Sequence, residues 1–396
     1  MAISPLPATR QINMPTILVA DDEPDFEMLV RQRFRRRIRS GELNFLFAAN
    51  GEHALQTLVE NPAIDVLLTD INMPRMDGLA LLNELADIRP DIKAVVVSAY
   101  GDMDNIRSAM NSGAFDFVTK PIDFQDLEIT LNKTIEHVAL LRDAEKQEME
   151  LTSIRRELEV ARQLQQSILP RQFPKDDRYE VHAEMHPARA VGGDFYDVFH
   201  LPDARIGLVV GDIAGKGVPA ALFMAIARTM LKATALSGCT PGECLHRVND
   251  QIADQEPANM LVTLFYAVYD PASGDLEFAN AGHDLPIIRR RGGGIDRLDN
   301  PDGVIAGVQS GLPYETRSAS LAAGDRLIIY TDGAIDARDD AGERFETSRL
   351  IRLLSEQADG SSAADVVSSA MQSLNHHIGG ADPADDITCL ALCRTA

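Results

Sequence analysis

Four aspartates in the second half of the sequence have neighbours that suit metal chemistry. They are Asp212 in the loop GDIAGKG, Asp194 in VGGDFYD, Asp332 in IIYTDG and Asp385 in ADDIT. The first three have a glycine beside them, which lets the backbone approach closely. A turn-capping role would explain any one of them alone. Together, with little histidine support, they predict an all-oxygen site for two Mg²⁺ or Mn²⁺ ions that would activate a bridging water against a phosphate ester.

The glycines of GDIAGKG also raise the question of a nucleotide-binding loop. A Walker A loop has four residues between its first glycine and the Gly–Lys pair, followed by Ser or Thr. Here only three residues separate Gly211 from Gly215 and Lys216, and Gly217 stands where the hydroxyl residue belongs. The sequence therefore excludes a P-loop, and the motif leaves Lys216 without a role.

A second set of reactive residues follows apolar runs in the first half of the chain. Asp21 and Asp22 follow TILVA, Asp70 follows IDVLLT, Ser98 follows AVVV, and Lys120 follows FDFVT. Clustered carboxylates suit Mg²⁺, and an aspartate beside Mg²⁺ is a competent nucleophile toward a phosphoryl group. A lysine and a hydroxyl can hydrogen-bond the transferred oxygens. Helix capping would explain each aspartate separately but not the order of all five residues.

The elements that must position these residues differ along the chain. Up to about residue 125, short apolar runs alternate with helical patterns, which predicts a parallel doubly wound sheet with the five residues at the carboxyl ends of its strands. Residues 126–169 contain no Gly or Pro, and apolar residues recur at heptad spacing, as in Leu151 and Leu158 or Ile154 and Ala161. We therefore expect one long helix or a coiled-coil connector.

The rest of the chain, from about residue 175, mixes apolar strands with two helical stretches near 219–236 and 361–378. This pattern predicts an α+β domain built on a β-sandwich or layered sheets flanked by helices.

The composition narrows the classes of partner. The formal net charge of -22 argues against nucleic acid and against anionic membranes. A basic run, Arg31–Arg39, is expected to be a solvated face or an internal interface, with a docking site for an acidic partner as the weaker alternative. The cysteines form no CxxC pair, which predicts buried free thiols: Cys239, Cys244, Cys389 and Cys393. Without an N-terminal apolar segment, we expect a cytoplasmic protein.

Residues 15–137 resemble the receiver domain of bacterial response regulators, through VADDEP, LTDINMPRMDG, VSAYG and DFVTKP. The resemblance implies that Asp70 is the phosphoacceptor and that a sensor histidine kinase is the phosphodonor. It implies that Asp21 and Asp22 form an acidic pocket in which Mg²⁺ is held with Asp70 and the main-chain carbonyl of Asn72. It also implies that Ser98 and Lys120 contact the phosphoryl group and that Phe117 is the aromatic switch residue. The Lys120–Pro121 peptide is implied to be cis.

From about residue 160 the chain resembles the PPM-type metal-dependent serine/threonine phosphatases, in their RsbU/SpoIIE-like branch. The matching text is ARQLQQSILP, AVGGDFYDVF, VGDIAGKGVPAAL, MLVTLFYAVYD, FANAGHDLP, YTDGAIDA and DDIT. The resemblance implies a site of two Mn²⁺ or Mg²⁺ ions held by Asp194, Asp212, the main-chain carbonyl of Ile213, Asp332 and Asp385. Asn280, Gly282 and His283 match a segment near the cleft, where a structural role for the histidine is at least as plausible as a catalytic one.

Two residues depart from that phosphatase pattern. Asp336 replaces the usual Glu of the TDG-x-x-E run, and Glu346 follows Phe345 where Gly is usual. Neither residue is an implied metal ligand, so the departures bear on loop geometry rather than on activity.

These observations predict a multidomain protein. Its parts are a disordered lead (1–14), an α/β doubly wound receiver domain (15–137), a helical coiled-coil-like linker (138–172) and an α+β PPM phosphatase domain (173–396). The expected function is a response regulator whose phosphatase output is controlled by Asp70. The resemblance implies a phosphorylated STAS-type anti-sigma-factor antagonist as substrate, and the linker suggests a homodimer. A non-catalytic adaptor and, more remotely, a DNA-binding regulator are the alternatives.

Overall fold

The computed structural model describes residues 14–99, 101–174, 176–254, 260–299, 303–381 and 383–395. The chain divides into two compact units, Met1–Thr152 and Ser153–Ala396. Apart from Met14, the predicted N-terminal lead lies outside the described residues.

The first unit has the predicted α/β architecture. Its five strands form one parallel sheet in the order β2-β1-β3-β4-β5, with helices between successive strands. The strands are β1 (Thr16–Ala20), β2 (Asn44–Ala48), β3 (Ile64–Asp70), β4 (Lys93–Ala99) and β5 (Asp116–Lys120). The helices are α1 (Pro24–Arg33), α2 (Arg35–Arg39), α3 (Gly51–Glu60), α4 (Gly78–Ile88) and α5 (Met103–Asn111).

Apolar side chains bury both faces of this sheet, which explains the continuous apolar runs in the sequence. Leu18 and Leu67 pack against α3 and α4, while Ile17 and Val66 pack in a second core on the opposite face. The parallel strands therefore bring their carboxyl ends to one edge of the sheet. Asp21 directly follows β1 at this edge, and Asp70 is the last residue of β3.

A single helix, α6 (Phe124–Ile168, 45 residues), covers the stretch that lacks Gly and Pro. Leu127, Leu131 and Val138 pack in the second core of the first unit. In the second unit, Gln165 near the C-terminal end of α6 and Leu169 just beyond it are buried. Between these anchored ends the apolar side chains of the heptad pattern are largely exposed, for example Leu151 and Ile154. The predicted long helix is confirmed.

The second unit is a sandwich of two five-stranded antiparallel sheets, with the orders β13-β10-β9-β8-β7 and β12-β11-β14-β15-β6. The strands of its first half are β6 (Tyr179–His186), β7 (Phe195–His200), β8 (Ile206–Ile213), β9 (Val262–Tyr269) and β10 (Asp275–Ala281). The remaining strands are β11 (Ile287–Arg289), β12 (Ile295–Arg297), β13 (Arg317–Ser320), β14 (Arg326–Tyr330) and β15 (Ile387–Arg394). The helices are α7 (Val218–Ala235), α8 (Pro241–Ala253), α9 (Asp332–Asp336), α10 (Glu346–Glu356) and α11 (Ala363–Ile378).

Strand alternation divides the core of this unit into layers. On β14 and β15, Leu327 and Leu390 face the core shared by the two sheets with α7 and α8, whereas Ile328 and Cys389 face α10 and α11. The predicted α+β sandwich flanked by helices is therefore confirmed.

The prediction of only two helical stretches in this unit was incomplete, because it missed α8, α9 and α10. The start of α8 looks like a turn because it reads Thr-Pro-Gly, but Thr240 and Glu243 form a capping box with Pro241 in the first turn. The short helix α10 presents a narrow buried stripe, with Leu350 and Leu354 in the core.

One helix among the described residues, α7, is long and apolar enough to cross a membrane by length and composition alone. Its Phe223 and Met224 are buried in the sandwich core. Arg228 of α7 forms an ion pair with the buried Asp197 of β7 at 2.8 Å, and Lys232 lies 3.4 Å from the same carboxylate. These contacts identify α7 as an amphipathic helix packed on the sheet that contains β7.

The basic run has largely internal partners. Arg31 pairs with Glu27, Arg33 pairs with Glu128, and Arg37 contacts both Glu42 and Glu128. Within the described residues, the other three arginines form no ion pair: Arg35, Arg36 and Arg39. All four cysteines are free, and all but the half-buried Cys239 are buried.

Candidate functional site

The first candidate site lies at the carboxyl edge of the parallel sheet. Carboxylate oxygens of Asp21, Asp22 and Asp70 lie within 4.8 Å of one another. The Nζ atom of Lys120, the last residue of β5, is 2.5 Å from Oδ2 of Asp70 and 3.6 Å from Oδ2 of Asp21. The structure therefore brings together the carboxylates and the lysine that the sequence placed on separate strands. It adds Glu23, which lies 3.4 Å from Lys120 and which the sequence analysis did not single out.

Charges and unsatisfied oxygens make this edge suitable for a hard cation. Burial raises the pKa of Asp21, and the charge of Asp70 adds to that effect. Burial alone would lower the pKa of Lys120, but its hydrogen bond to Asp70 and the charge of Asp21 raise it. Oδ2 of Asp21 and Oγ of Ser98 are buried without a hydrogen-bond partner among the described residues. A cation on the carboxylates and a phosphoryl oxygen near Ser98 would satisfy these atoms, so the residues fit Mg²⁺.

The loop after β3 holds Asp70 from behind. The amide of Asn72 donates to Oδ1 of Asp70 at 3.3 Å, and the amide of Gly78 donates to the carbonyl of Ile71 at 2.8 Å. A Cβ atom at residue 78 would lie 2.2 Å from the carbonyl oxygen of Asp70, which explains the glycine in this position. The Lys120–Pro121 peptide is cis, as expected. Phe117 is partly exposed on β5.

The second candidate site lies where strand ends of the two antiparallel sheets meet. Phe195 of β7 pairs with Gly211 of β8, so Asp194 and Asp212 occupy the next facing positions of that ladder. In the other sheet, Tyr330 of β14 pairs with Cys389 of β15, which places Asp332 and Asp385 just beyond this pair.

Two threonines join the sheets at this point. The hydroxyls of Thr331 and Thr388 each donate to Oδ2 of the buried Asp194 at 2.7 Å. The amide of Thr388 in turn donates to Oγ1 of Thr331 at 3.0 Å. One carboxylate oxygen of Asp194 is thus fixed by protein donors from the opposite sheet.

Asp386 is a residue of this site that the sequence did not predict. Its carboxylate accepts hydrogen bonds from the amides of Ala188 at 2.8 Å, Gly193 at 2.6 Å and Asp194 at 3.3 Å. This side chain therefore holds the backbone turn that presents Asp194. The two adjacent aspartates of ADDIT are the sequence signal for this residue, but the sequence prediction names only the first of them, Asp385, as a site residue.

The glycines at this site make room for protein atoms as well as for ligands. A Cβ at Gly192 would lie 2.2 Å from Oδ2 of Asp386, and one at Gly193 would lie 2.9 Å from the carbonyl oxygen of Ile213. A Cβ at Gly333 would lie 1.9 Å from the carbonyl oxygen of Asp386. These contacts require glycine and bring the turns carrying Asp194 and Asp332 against the backbone near Ile213 and Asp386.

The four predicted carboxylates act on one another. Burial raises the pKa of Asp194 well above its usual range, and Asp212 adds to that effect. Burial and then the charges of Asp332 and Asp385 raise the pKa of Asp212 to about 7. Burial and Asp385 also raise the pKa of Asp332. Mutual repulsion of this kind is relieved by a divalent cation with oxygen ligands, so the residues fit Mg²⁺ or Mn²⁺.

Lys216 of the GDIAGKG loop provides a positive charge at this cluster. Its Nζ atom is 2.8 Å from Oδ2 of Asp385 and also donates to the carbonyl of Ala384. A further carboxylate, Asp284 of the AGHDLP segment, was not predicted. Burial raises the pKa of Asp284, and the charges of Asp332 and Asp336 add to the effect.

His283 is part of the scaffold. Its ring Nδ1 and Oγ1 of Thr263 are 2.8 Å apart. Asn280 accepts from the amide of His283 and donates to its carbonyl, both at 2.8 Å. Burial lowers the pKa of His283 to about 4, so the ring is neutral near pH 7. These contacts agree with the structural role considered for it.

The two departures from the phosphatase pattern have local consequences. Asp336 forms an ion pair with Arg344 at 3.0 Å. Glu346 has a φ angle of 63°, in the left-handed region that favours glycine. The usual glycine at this position therefore has a conformational reason, and this chain places a glutamate in the same backbone conformation.

Comparison with known proteins agrees with the two folds. Residues 17–132 match the response regulator receiver domain family, and residues 202–395 match the family described as Stage II sporulation protein E (SpoIIE). Protein IcfG from Synechocystis is 35% identical over 269 residues, 61% of this chain and 42% of that protein. Phosphoserine phosphatase RsbU from Bacillus subtilis is 27% identical over 223 residues, 56% of this chain and 65% of that protein.

Among solved structures, the SiaA-PP2C domain of Pseudomonas aeruginosa has a TM-score of 0.54 at 24% identity, covering 62% of this chain and 99% of that domain. This likeness shows a shared fold. The chain spans less than two thirds of the length of both curated relatives. It consists of a response-regulator receiver domain followed by a SpoIIE/PPM-type phosphatase domain.

Proposed function

We propose that this protein is a response regulator whose output is a metal-dependent serine/threonine protein phosphatase. The observation that carries the proposal is the position of Asp194. Threonines of the opposite sheet fix its carboxylate, Asp386 holds its backbone turn, and its charge adds to those of three further aspartates. Such a concentration of carboxylates around the buried Asp194 opposes folding unless a ligand uses it.

In this proposal the aspartates hold two Mn²⁺ or Mg²⁺ ions. The ions would be held by Asp194, Asp212, the main-chain carbonyl of Ile213, Asp332 and Asp385. When bound, the ions supply a water made nucleophilic at neutral pH and positive charge for the phosphate oxygens. The hydrogen bonds from Thr331 and Thr388 leave one oxygen of Asp194 occupied, so its other oxygen is the one available to a metal.

The receiver site is proposed to take a phosphoryl group from a sensor histidine kinase. A carboxylate oxygen of Asp70 attacks phosphorus, the P–N bond to the kinase histidine breaks, and an acyl phosphate forms on Asp70. Mg²⁺ would be held by Asp22, Asp70 and the carbonyl of Asn72, with Asp21 completing the acidic pocket. In this proposal Lys120 and Ser98 hydrogen-bond the transferred oxygens, and Phe117 is the aromatic switch residue that responds to phosphorylation.

The substrate is proposed to be phosphoserine or phosphothreonine on a STAS-type anti-sigma-factor antagonist in the cytoplasm. Support comes from the resemblance of the phosphatase domain to RsbU, whose name describes a phosphoserine phosphatase. The exposed heptad residues of α6 support a homodimer formed through this helix, because an unpaired apolar seam is buried when two helices supercoil.

The test is hydrolysis of a phosphoserine peptide by the full chain with Mn²⁺, with Asp212→Asn as the matched variant. We expect turnover that requires Mn²⁺ and that falls by at least about 100-fold in Asp212→Asn, because a proposed metal ligand is lost. Undiminished hydrolysis by Asp212→Asn would refute the metal assignment. Absence of hydrolysis by the wild type, with Mn²⁺ bound, would favour a non-catalytic adaptor.

A further inference from the structure

We propose that Lys216 is an internal counter-ion that competes with a divalent metal for Asp385 and so sets the affinity of the more weakly held ion. The inference rests on the proposed metal site and deepens it. It gives a role to the lysine of GDIAGKG, which the exclusion of a P-loop leaves without one.

Lys216 contacts Asp385 directly. The ammonium of Lys216 is 2.8 Å from Oδ2 of Asp385 and also donates to the carbonyl of the preceding residue, Ala384. These two bonds tie the loop after β8 to the loop before β15. The side chains of Lys216 and Asp385 are 38% and 39% exposed, so the pair lies at the open edge of the carboxylate cluster.

The other three proposed metal-binding aspartates have no comparable cationic partner among the described residues. Within the described part of the chain, Lys216 and Asp385 form the only ion pair that involves any of the four aspartates. Asp194 is held by threonine hydroxyls instead, and Arg344 pairs with Asp336 rather than with Asp332. The protein's own positive charge therefore forms an ion pair with one ligand, Asp385, and it also acts on the charge of Asp332.

The ammonium of Lys216 and a divalent metal would compete for the carboxylate of Asp385. A carboxylate oxygen that accepts the ammonium cannot offer the same lone pair to a metal, and the ammonium repels a nearby divalent ion. The ion that needs Asp385 must displace Lys216, whereas an ion held without Asp385 has no such competitor. The two ions should therefore bind with different affinities.

The loop allows this displacement. Gly215 and Gly217 flank Lys216 with φ angles of 126° and 80°, and a Cβ at either residue would meet no atom within 4 Å. Helix α7 begins at Val218, after these glycines, and its ion pair with Asp197 holds it to β7. Lys216 can therefore leave Asp385 without moving α7.

The experiment is calorimetric titration of the full chain with Mn²⁺ alone. The parent protein, which keeps Lys216, is compared with the variants Lys216→Gln and Lys216→Arg and with the control variant Lys146→Gln. Lys146 is an exposed lysine on α6, far along the sequence from the carboxylates, with a 76% exposed side chain. All proteins carry Asp22→Asn, so that the receiver carboxylates do not contribute a competing site.

We expect two binding events in the parent protein. In Lys216→Gln the weaker event should tighten by about 3- to 10-fold, because a half-exposed ion pair and a like-charge repulsion are both removed. The stronger event should stay unchanged, Lys216→Arg should resemble the parent, and Lys146→Gln should have no effect.

Weaker or unchanged Mn²⁺ binding by Lys216→Gln would overturn the inference while leaving the metal site in place. Binding of no Mn²⁺ by the parent protein would instead overturn the proposed phosphatase site together with this inference. The two failures are therefore distinguishable from the same titration.

Discussion

The carboxylate of Asp386 accepts hydrogen bonds from the backbone amides of Gly193 and Asp194, at 2.6 Å and 3.3 Å. One aspartate therefore positions the backbone of another. Its neighbour Asp385 points to the open edge of the cluster and meets Lys216. Adjacent residues of the same type thus have different surroundings, one inside the scaffold and one at the proposed metal site.

Matched substitutions test this difference. We expect Asp386→Asn to lower the free energy of unfolding of the metal-free phosphatase domain by about 1 to 3 kcal/mol, because buried amides lose a charged acceptor. Asp385→Asn should leave that stability unchanged or slightly raised but weaken Mn²⁺ binding. Denaturant unfolding and Mn²⁺ titration of both variants provide the measurement. The assignment is wrong if the two variants show the same pattern.

The raised pKa of Asp212 predicts a pH dependence of the metal-free protein. A carboxyl whose pKa is about 7 when folded and 3.8 when unfolded binds its proton more tightly in the folded state. Stability from this group is fully present below pH 3.8 and is lost as the pH rises through about 7. Thermal melts without metal at pH 5 and pH 8 should therefore show a decrease that is smaller in Asp212→Asn. An identical decrease in that variant would contradict the assignment.

The left-handed conformation of Glu346 predicts a stabilising substitution. Glu346→Gly removes a backbone penalty of about 1 to 2 kcal/mol, against a loss of about 0.5 to 1 kcal/mol in conformational entropy. We expect a net gain of about 0.5 to 1 kcal/mol, read as a higher midpoint of unfolding. Glu356→Gly, at the other end of α10, should instead lower stability. The same sign for both substitutions would argue against backbone strain at residue 346.

The helix that leaves the receiver is held by an ion pair. Arg142 of α6 pairs with the buried Asp65 at the start of β3, and Asp65 also accepts the amide of Thr16 at 2.7 Å. We expect Arg142→Met to destabilise the receiver domain by about 1 to 3 kcal/mol, because Asp65 loses its countercharge. Lys146→Met, one turn further along, removes only an exposed pair and should cost less than about 0.5 kcal/mol. Equal effects in denaturant unfolding would show that the Asp65 contact is unimportant.

Much of this architecture follows from local patterns in the sequence. The apolar runs before Asp21 and Asp70 predict parallel strands, and topology alone then brings these residues to one edge. The helix α6 follows from the absence of Gly and Pro over residues 126–169. Receiver and phosphatase motifs supplied the remaining assignments.

Contacts between distant segments could not be obtained in this way. Asp386 hydrogen-bonds to amides 192 to 198 residues earlier in the chain, and no local pattern distinguishes its role from that of Asp385. Lys216 likewise finds Asp385 at a separation of 169 residues, the difference between 385 and 216. The helix α8 was missed for a different reason, because its Thr-Pro-Gly start resembles a turn until the capping box with Glu243 is considered.

We propose that phosphorylation of Asp70 in the receiver domain controls the phosphatase domain, and the rate of hydrolysis shows whether it does. The rate of phosphoserine-peptide hydrolysis by the full chain with Mn²⁺ is measured before and after treatment with a small acyl phosphate, in wild type and in Asp70→Asn. We predict that treatment raises the wild-type rate at least about 5-fold and leaves Asp70→Asn unchanged. Equal rates for treated wild type and Asp70→Asn would contradict the claim.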